Sequence, residues 1–228
     1  MEKDYLKKVC AKQALKLIKN DQIVGLGGGG TISYLVSMIA DASLNIKIVT
    51  PSDLTKALCI KKGLTVLDLA YVNHVDIAFD GCDECDELLH ALKSGGGIHT
   101  REKLIGTMAD QYILLVDESK LSNQLPFTHP VVLEVLPIAY SFVVNQVKAL
   151  GGKVEWRHAS NKDGFIYSDN GNLLLDTFFN EVSDIELLAQ QLDAIKGLVD
   201  HSLFVGVVNK IIVVSNENTI VIESERTK

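Results

Sequence analysis

The residue types that could carry out acid–base chemistry are concentrated in one stretch near the middle of the chain. Asp80 and Asp83 follow an apolar segment that has the pattern of a buried strand. Lys93 and the run Gly95–Gly97 come next, and Glu102 stands at the beginning of a predicted helix. In an open α/β sheet, ligands bind beyond the carboxyl ends of the strands. These residues could therefore combine proton transfer by a carboxylate with a cation and backbone donors for a developing oxyanion.

A purely structural interpretation accounts for the same residues. The aspartates would form an acidic solvated turn, and the glycines would form a flexible loop. Glu102 would lie in the first turn of an ordinary surface helix, where a carboxylate complements the helix dipole. Composition alone does not decide between this interpretation and the catalytic one, because short motifs often match by chance.

A second candidate site is the glycine run after the predicted strand 22–26. Residues Gly27, Gly28, Gly29, Gly30 and Thr31 precede a helix that is predicted to extend to about Ala40. Small residues allow backbone N–H groups to approach an anion, and the helix dipole favours negative charge. Because no Lys-Ser/Thr pair follows the glycines, the run is not a Walker loop. The pattern predicts an anion site.

Alternating strands and helices must position these residues, and they predict a parallel sheet. The predicted strands of this part are 22–26, 46–50, 64–68, 75–79 and 112–117. The predicted helices are 4–19, the one that ends near Ala40, and 102–109 with Thr100 as its cap. Ser52 or Asp53 is predicted to cap a further helix.

Prolines at 126, 130 and 137 mark a change in organisation. A strand at 131–136, a helix at 138–150 and strands at 153–157 and 173–176 follow, with a turn at 169–172. The box Ser183–Glu186 is predicted to open a last helix that ends before Gly197. Strands 211–214 and 219–222 would return to the first sheet. We therefore predict an α/β fold, with a Rossmann-like parallel-sheet domain at 1–126 plus 205–228 and a smaller inserted α+β (ferredoxin-like) domain at 127–204.

Composition narrows the class of protein. The chain has 228 residues, a net charge of −7, 47% hydrophobic and 22% charged residues, which is typical of a globular protein. There is no basic stripe, so we expect no nucleic-acid partner. No apolar run reaches the length of a membrane span, and the N-terminus lacks the apolar core of a signal peptide. Four cysteines without a secretory signal indicate free thiols in a reducing cytoplasm.

The pair Cys82 and Cys85 could be a redox pair or half of a metal site. His90 and His99 lie downstream and could complete a set of four ligands. The spacing matches no common zinc pattern, however, and no second Cys-x-x-Cys motif exists in the chain. We therefore expect no metal at these residues.

The stretch that begins at Asp80 resembles ribose-5-phosphate isomerase of type A. The family patterns D-G-A-D-E, K-G-G-G-G-A and T-R-E-K correspond to Asp80–Glu84, Lys93–Ile98 and Thr100–Lys103. Further matching segments are Gly25–Thr31, Val116–Lys120, Val132–Pro137 and Asp169–Asp176. Several motifs in the order of the family are far more specific than any single one, and the similarity covers nearly the whole chain.

The resemblance implies an aldose–ketose isomerase that interconverts D-ribose 5-phosphate and D-ribulose 5-phosphate through a cis-enediolate, in the non-oxidative pentose phosphate pathway. It implies no metal and no organic cofactor, and a homodimer or homotetramer, for which the smaller domain is a candidate interface. Glu102 would be the base, with Asp80, Asp83 and Lys93 as catalytic partners. The implied substrate-binding residues are Lys7, Gly28, Gly29, Gly30, Thr31, Gly81, Cys82, Ser94, Gly95, Gly96 and Lys120.

Some positions depart from the family pattern. Gly28 and Gly30 stand where the family usually has hydroxyl residues, and Ser94, Ile98 and His99 also differ. These departures leave open a related isomerase for another sugar phosphate or a non-catalytic sugar-phosphate sensor. A coenzyme A transferase-like enzyme, which shares a related fold and uses a glutamate as nucleophile, is a further alternative.

Overall fold

The computed structural model describes residues 2–159 and 163–223 and contains helices and strands throughout. The helices are α1 (Glu2–Leu15), α2 (Gly30–Asp41), α3 (Asp53–Lys61), α4 (His99–Met108), α5 (Tyr140–Ala149) and α6 (Ile185–Asp193). The strands are β1 (Ile23–Leu26), β2 (Lys47–Val49), β3 (Val75–Asp80), β4 (Glu84–Asp86), β5 (Ala91–Leu92), β6 (Ala109–Asp117), β7 (Leu121–Ser122), β8 (Val131–Val135), β9 (Lys153–Trp156), β10 (Leu173–Phe178), β11 (Leu198–His201), β12 (Leu203–Phe204), β13 (Lys210–Val214) and β14 (Thr219–Glu223).

The main sheet has six strands in the order β14-β13-β6-β3-β1-β2. All neighbouring pairs are parallel except β13 with β14. Side chains alternate between its two buried faces, so that Ile77 and Phe79 pack with α1 and α2 while Ala78 packs with Ile105 of α4. The carboxyl ends of β1, β3 and β6 therefore lie side by side at one edge, where the predicted site residues follow each strand.

The segment 64–68, which was predicted to be a strand, is not one in the structure. It makes only an isolated parallel bridge between Val66 and Ile48. Asp68 then accepts a hydrogen bond from the backbone N–H of Ala70 and begins a short 3-10 turn. The chain therefore leaves the edge of the sheet before a ladder can form.

The smaller sheet has the antiparallel order β11-β8-β10-β9. Its core joins Leu133 and Leu175 to Val147 of α5 and Leu192 of α6. The predicted capping residue of α6 was wrong, because Asp184 and not Ser183 accepts the backbone N–H of Leu187, at 2.8 Å. The placement of a domain boundary at 126/127 and at 204/205 stays a proposal.

A third sheet, in the order β12-β5-β4-β7, was not predicted from the sequence. Its strands have only two or three residues, which is too short for an alternation of apolar and polar residues to be recognised in the sequence. The antiparallel pair β4 and β5 turns the chain back after Asp80. This reversal brings Lys93 into contact with the end of β3. Among the described residues, no helix has the length and apolar character needed to cross a membrane.

Candidate active site

A pocket of about 610 Å³ lies at the edge where the strands of the main sheet end. Fourteen of the fifteen residues predicted for the site line it, namely Lys7, Gly28, Gly29, Gly30, Thr31, Asp80, Gly81, Cys82, Asp83, Lys93, Gly95, Gly96, Glu102 and Lys120. Ser94 does not line the pocket. Its hydroxyl donates to the carbonyl of Pro130 at 2.5 Å, so its role is to fix the backbone of the loop.

Nine further residues line the pocket and were not predicted as site residues from the sequence. The additional lining residues are Cys10, Ser52, Asp53, Leu54, Ile98, Leu115, Val116, Asp117 and Asp169. Four of these carried a usable signal, since segments that match the family pattern include Ile98, Val116, Asp117 and Asp169. Ser52 was predicted only as a helix cap, and it does cap α3 by accepting the backbone N–H of Thr55 at 3.2 Å.

Lys93 lies between two buried carboxylates. Its Nζ is 3.1 Å from Asp80 Oδ2 and 3.3 Å from Glu102 Oε1, and it also donates to the carbonyl of Gly81. The exposed fractions of Asp80, Lys93 and Glu102 are only 2%, 5% and 6%. Such a buried group of charges is stable only while the cation balances the carboxylates.

Neighbouring residues hold Asp80 in a fixed orientation. The backbone N–H of Gly81 donates to its Oδ1 at 2.8 Å, and the Tyr112 hydroxyl donates to its Oδ2 at 3.1 Å. A Cβ atom at Gly27 would lie 1.9 Å from Asp80 Oδ1, so that this position of the glycine loop admits no side chain. Burial, reinforced by the charge of Asp80, raises the pKa of Tyr112 well above its ordinary value and keeps it a hydrogen-bond donor.

Glu102 enters the pocket from the first turn of α4. The predicted cap of this helix was wrong: Ile98 is the capping residue and provides no side-chain hydrogen bond, while the Thr100 hydroxyl donates to Glu134. One carboxylate oxygen of Glu102, Oε2, is buried without a hydrogen-bond partner among the described residues. This oxygen is therefore free to accept a proton from a bound molecule.

The surroundings shift the pKa values of the two central groups. Burial raises the pKa of Glu102 from 4.5 to about 8, with Asp80 adding to the rise and Lys93 opposing it. Burial by itself lowers the pKa of Lys93, but the charges of Asp80 and Glu102 outweigh that effect and raise the pKa above its ordinary value. The site thus combines a permanently charged lysine with a carboxylate whose proton affinity is suited to work near neutral pH.

The loop after Lys93 turns around Asp83. Asp83 Oδ2 accepts the backbone N–H of Gly95 at 2.9 Å. Gly96 and Gly97 have φ of 73° and 70°, a left-handed conformation that favours glycine. A Cβ atom at Gly97 would also lie 2.6 Å from Leu174 Cδ1. The loop is therefore held open towards the pocket by glycine geometry and by one carboxylate oxygen of Asp83.

The other end of the pocket has the features of an anion site. The N-terminal turn of α2 begins after Gly29, which has φ of 90° and supplies no side-chain cap. The N-terminus of α3 at Ser52 faces the same pocket, as do Lys7 and Lys120. Lys7 Nζ lies 3.2 Å from the place of a Cβ atom at Gly30. Two helix N-termini and two lysines can together hold a phosphate group.

The cysteine pair has structural contacts. Cys85 is buried and its thiol donates to the carbonyl of Lys120 at 3.5 Å. A hydrogen bond with Cys85 and burial raise the pKa of Cys82 well above its ordinary value, which keeps it a thiol. His90 contacts Asp86 and Glu186 at 2.9 and 3.2 Å. Neither group of potential metal ligands found among the described residues includes these cysteines.

Comparisons with known proteins agree with one another. The family model described as ribose 5-phosphate isomerase A (phosphoriboisomerase A) matches residues 47–218. A ribose-5-phosphate isomerase A of Thermosynechococcus vestitus is 37% identical over 213 residues, which cover 91% of this chain and 90% of that protein. One of Methanosarcina acetivorans is 39% identical over 205 residues, which cover 88% of this chain and 87% of that protein.

Solved structures show the same similarity. The ribose 5-phosphate isomerase A of Methanocaldococcus jannaschii has a TM-score of 0.89 at 33% identity and covers 96% of this chain and 98% of that one. A D-ribose-5-phosphate isomerase in complex with phospho-erythronic acid has a TM-score of 0.90 at 32% identity, with the same coverage. The similarity in fold thus includes both the main sheet and the smaller one.

Proposed function

The chain belongs to the ribose 5-phosphate isomerase A family, and from this premise we propose that it interconverts D-ribose 5-phosphate and D-ribulose 5-phosphate. The observation that carries the proposal is the buried group of Asp80, Lys93 and Glu102 in one pocket with an anion site. The relative in complex with phospho-erythronic acid, a phosphorylated sugar acid, supports a pocket of this kind for a sugar phosphate.

Glu102 is the base of the proposed reaction. Its unpaired Oε2 takes the proton from C2 of the open-chain aldose, and the electron pair of that C–H bond forms the C1–C2 double bond of a cis-enediolate. The protonated carboxyl then returns the proton to C1, while the proton on O2 moves to O1. The product is the ketose, and no electron leaves or enters the substrate.

The negative charge of the enediolate develops on oxygen. Lys93 supplies the cation for it. The N–H of Gly96 is assigned as the fixed donor, because the N–H of Gly95 donates to Asp83 Oδ2 and that of Gly97 donates to the carbonyl of Gly95. Asp80 is assigned the acid–base role in opening the sugar ring, and Asp83 the orientation of substrate hydroxyls. The phosphate binds at Gly28–Thr31 with help from Lys7 and Lys120. No step requires a metal or an organic cofactor.

The reaction is tested with purified protein and ribose 5-phosphate, with and without a metal chelator. We expect ribulose 5-phosphate to form at a rate that the chelator does not change. A panel of other aldose phosphates is measured in parallel. Faster turnover of another aldose phosphate would show that the protein is a related isomerase with a different substrate. Saturable binding of ribose 5-phosphate without turnover would show that it is a non-catalytic sensor.

The proposal also covers the oligomeric state of the protein and its location in the cell. Exposed apolar side chains on α5 and on the short turn before it, Phe142 with 52% and Ile138 with 97% exposed, support a homodimer or homotetramer formed through this part. The four free cysteines fit the reducing cytoplasm, where we place the protein. Sedimentation measures the assembly, and a monomer at micromolar concentration would contradict it.

Replacing Gly28 by serine is expected to tighten the binding of the phosphate. The new Cβ atom would lie 3.7 Å from Ile98 Cδ1 and 3.8 Å from Ser52, which is ordinary contact. The added hydroxyl can donate to the phosphate, and we expect KM to fall about tenfold, the lower end for a hydrogen bond to a charged group of about 1.5–3 kcal/mol.

The control places the same side chain one residue later. Gly29 has φ of 90°, so Gly29→Ser is strained and should raise KM instead. Steady-state kinetics and competition by inorganic phosphate measure both variants. An unchanged KM and an unchanged phosphate affinity in Gly28→Ser would show that the phosphate binds elsewhere.

A further inference from the structure

Glu134 is a buried carboxylate whose role the proposed chemistry does not explain. It lies on β8 of the smaller sheet and is completely inaccessible to solvent. Four side chains donate to it: the Thr100 hydroxyl, the Ser168 hydroxyl at 2.7 Å, the Asn172 amide at 2.7 Å and the Asn170 amide at 3.0 Å. Burial would raise its pKa, but these hydrogen bonds outweigh burial and lower the pKa. Glu134 is therefore a fully satisfied buried anion.

These contacts join the smaller sheet to the helix that carries the proposed base. Thr100 lies in the first turn of α4, two positions before Glu102, and this helix has no side-chain cap. The next residue, Arg101, donates to Asn170 Oδ1 at 2.9 Å and to the carbonyl of Asp169 at 3.1 Å. The turn 168–172 and the beginning of α4 are thus held together around one carboxylate.

The other end of the catalytic segment is fixed in a similar way. Arg157 Nη2 donates to the carbonyl of Ser94 at 2.6 Å, and Arg157 Nε donates to Asp176 at 2.9 Å. The Ser94 hydroxyl donates to the carbonyl of Pro130. Residues of the smaller sheet and its borders therefore hold both ends of the segment 94–102, which begins next to Lys93 and ends at Glu102.

We propose that Glu134 is a positioning residue for the isomerisation, because it fixes the first turn of α4 and thereby the place of Glu102 beside Lys93. This inference rests on the proposed function and goes beyond it, since Glu134 touches no reacting atom. The smaller sheet then contributes to catalysis through the position of Glu102, in addition to any role in assembly. Glu134 lies in one segment that matches the family pattern, 132–137, and its partners Asn170 and Asn172 lie in another, 169–176. The proposed role therefore explains both matches.

Replacing Glu134 by alanine removes the acceptor of these four side chains and leaves the buried Ser168 hydroxyl without one. The first turn of α4 should move, and water should reach Glu102. We expect kcat to fall about 10- to 100-fold, since a misplacement of about 1 Å can cost about 100-fold. KM should stay within about threefold, because the anion site is built from α1, the N-termini of α2 and α3, and Lys120, and Glu134 accepts a hydrogen bond from none of them. The acid limb of the pH profile of kcat should move to lower pH as Glu102 becomes hydrated.

Two further variants separate positioning from folding. Glu134→Gln keeps an acceptor for Ser168 and the asparagines, and the Thr100 hydroxyl can rotate to accept from the new amide, so most of kcat should return. Thr100→Val removes only the link between Glu134 and α4 and should shift the pH profile in the same direction as Glu134→Ala. It keeps the proposal testable if the alanine variant does not fold.

The experiment measures kcat and KM against pH for these variants, together with the titration of Glu102 by NMR of protein labelled with carbon-13 at the glutamate carboxyls. The Glu102 signal is assigned from its loss in Glu102→Gln. Val147→Ala, a cavity in the core of the smaller sheet under α5, is the control for lost stability. It should lower the unfolding temperature and leave both the pH profile and the Glu102 titration unchanged.

A lower Glu102 pKa and a lower kcat at constant KM in Glu134→Ala or Thr100→Val, absent from Val147→Ala, would support the proposal. An unchanged Glu102 titration in those variants, or an equal change in Val147→Ala, would overturn it. If the unmodified protein does not isomerise ribose 5-phosphate, the proposed function fails. The NMR titration still decides whether Glu134 positions Glu102, since it does not depend on turnover.

Discussion

Glu102→Gln is expected to lower kcat by about 10⁴-fold, the upper end of what a general base contributes. The amide has nearly the same shape as the carboxylate, but it cannot take the proton from C2. Because Lys93 and the anion site remain, binding of ribose 5-phosphate should stay detectable by calorimetry. In the unmodified protein, kcat/KM should rise with pH through the ionisation of Glu102, because only the carboxylate is a base. Burial raises that pKa, so the acid limb should lie well above 4.5.

A matched control makes the same chemical change outside the pocket. Glu118 is exposed and does not line the pocket, so Glu118→Gln should keep the rate and the pH profile of the unmodified protein. Thermal unfolding of both variants confirms that they fold. Turnover in Glu102→Gln within tenfold of the unmodified protein would remove Glu102 from the role of the base.

Lys93→Met is the second change for which we expect a large effect. It removes the cation that lies 3.1 Å from Asp80 Oδ2 and 3.3 Å from Glu102 Oε1. The enediolate loses its main stabilising charge, and we expect kcat to fall by about 10²–10³-fold. Breaking a buried ion pair by removing one partner also costs about 3–5 kcal/mol in the free energy of unfolding.

The loss of stability should depend on pH in a defined direction. Without Lys93, the two buried carboxylates repel each other and the charge that opposes the rise in the pKa of Glu102 is lost, so this pKa should lie still further above that of the unfolded chain. Acids with raised pKa values cost stability as pH increases, so the loss should be smaller at about pH 5.5 than at about pH 8.5. Urea unfolding at both pH values measures it.

The control for this variant is Lys61→Met, since Lys61 is exposed at the end of α3 and does not line the pocket. It removes the same charge and should leave activity and stability nearly unchanged. A loss of stability in Lys93→Met that is equal at both pH values would contradict the balance of charges described for Asp80, Lys93 and Glu102.

The parts of the fold with a strong local pattern were predictable from the sequence. The apolar segment before Asp80 and the glycine run before Thr31 have the composition of a buried parallel strand and of a loop that precedes a helix, and both occur in the structure. Of the fifteen site residues that the motif resemblance implied, fourteen line the pocket. Only Ser94 lies outside, because a serine hydroxyl beside a glycine loop has the same appearance in sequence whether it faces the pocket or the backbone of Pro130.

Other features depend on contacts between distant segments. Tyr112 donates to Asp80 because β3 and β6 pair in a register that places Ala78 opposite Tyr112 and Asp80 opposite Leu114, and a sequence does not reveal that register. Threonine is a common helix-capping residue, but the hydroxyl of Thr100 donates to the buried carboxylate of Glu134 and does not cap α4. In both cases the tertiary contact overrides the local preference.

Isomerisation in D₂O, followed by NMR, tests the central claim most directly. If Glu102 carries the proton between C2 and C1, part of that proton exchanges with solvent while the enediolate is bound. We predict that ribulose 5-phosphate formed by the unmodified protein carries deuterium at C1, and that Glu102→Gln neither forms the product nor exchanges C2 at a comparable rate. Isomerisation without any solvent deuterium, or exchange that continues at full rate in Glu102→Gln, would contradict the account.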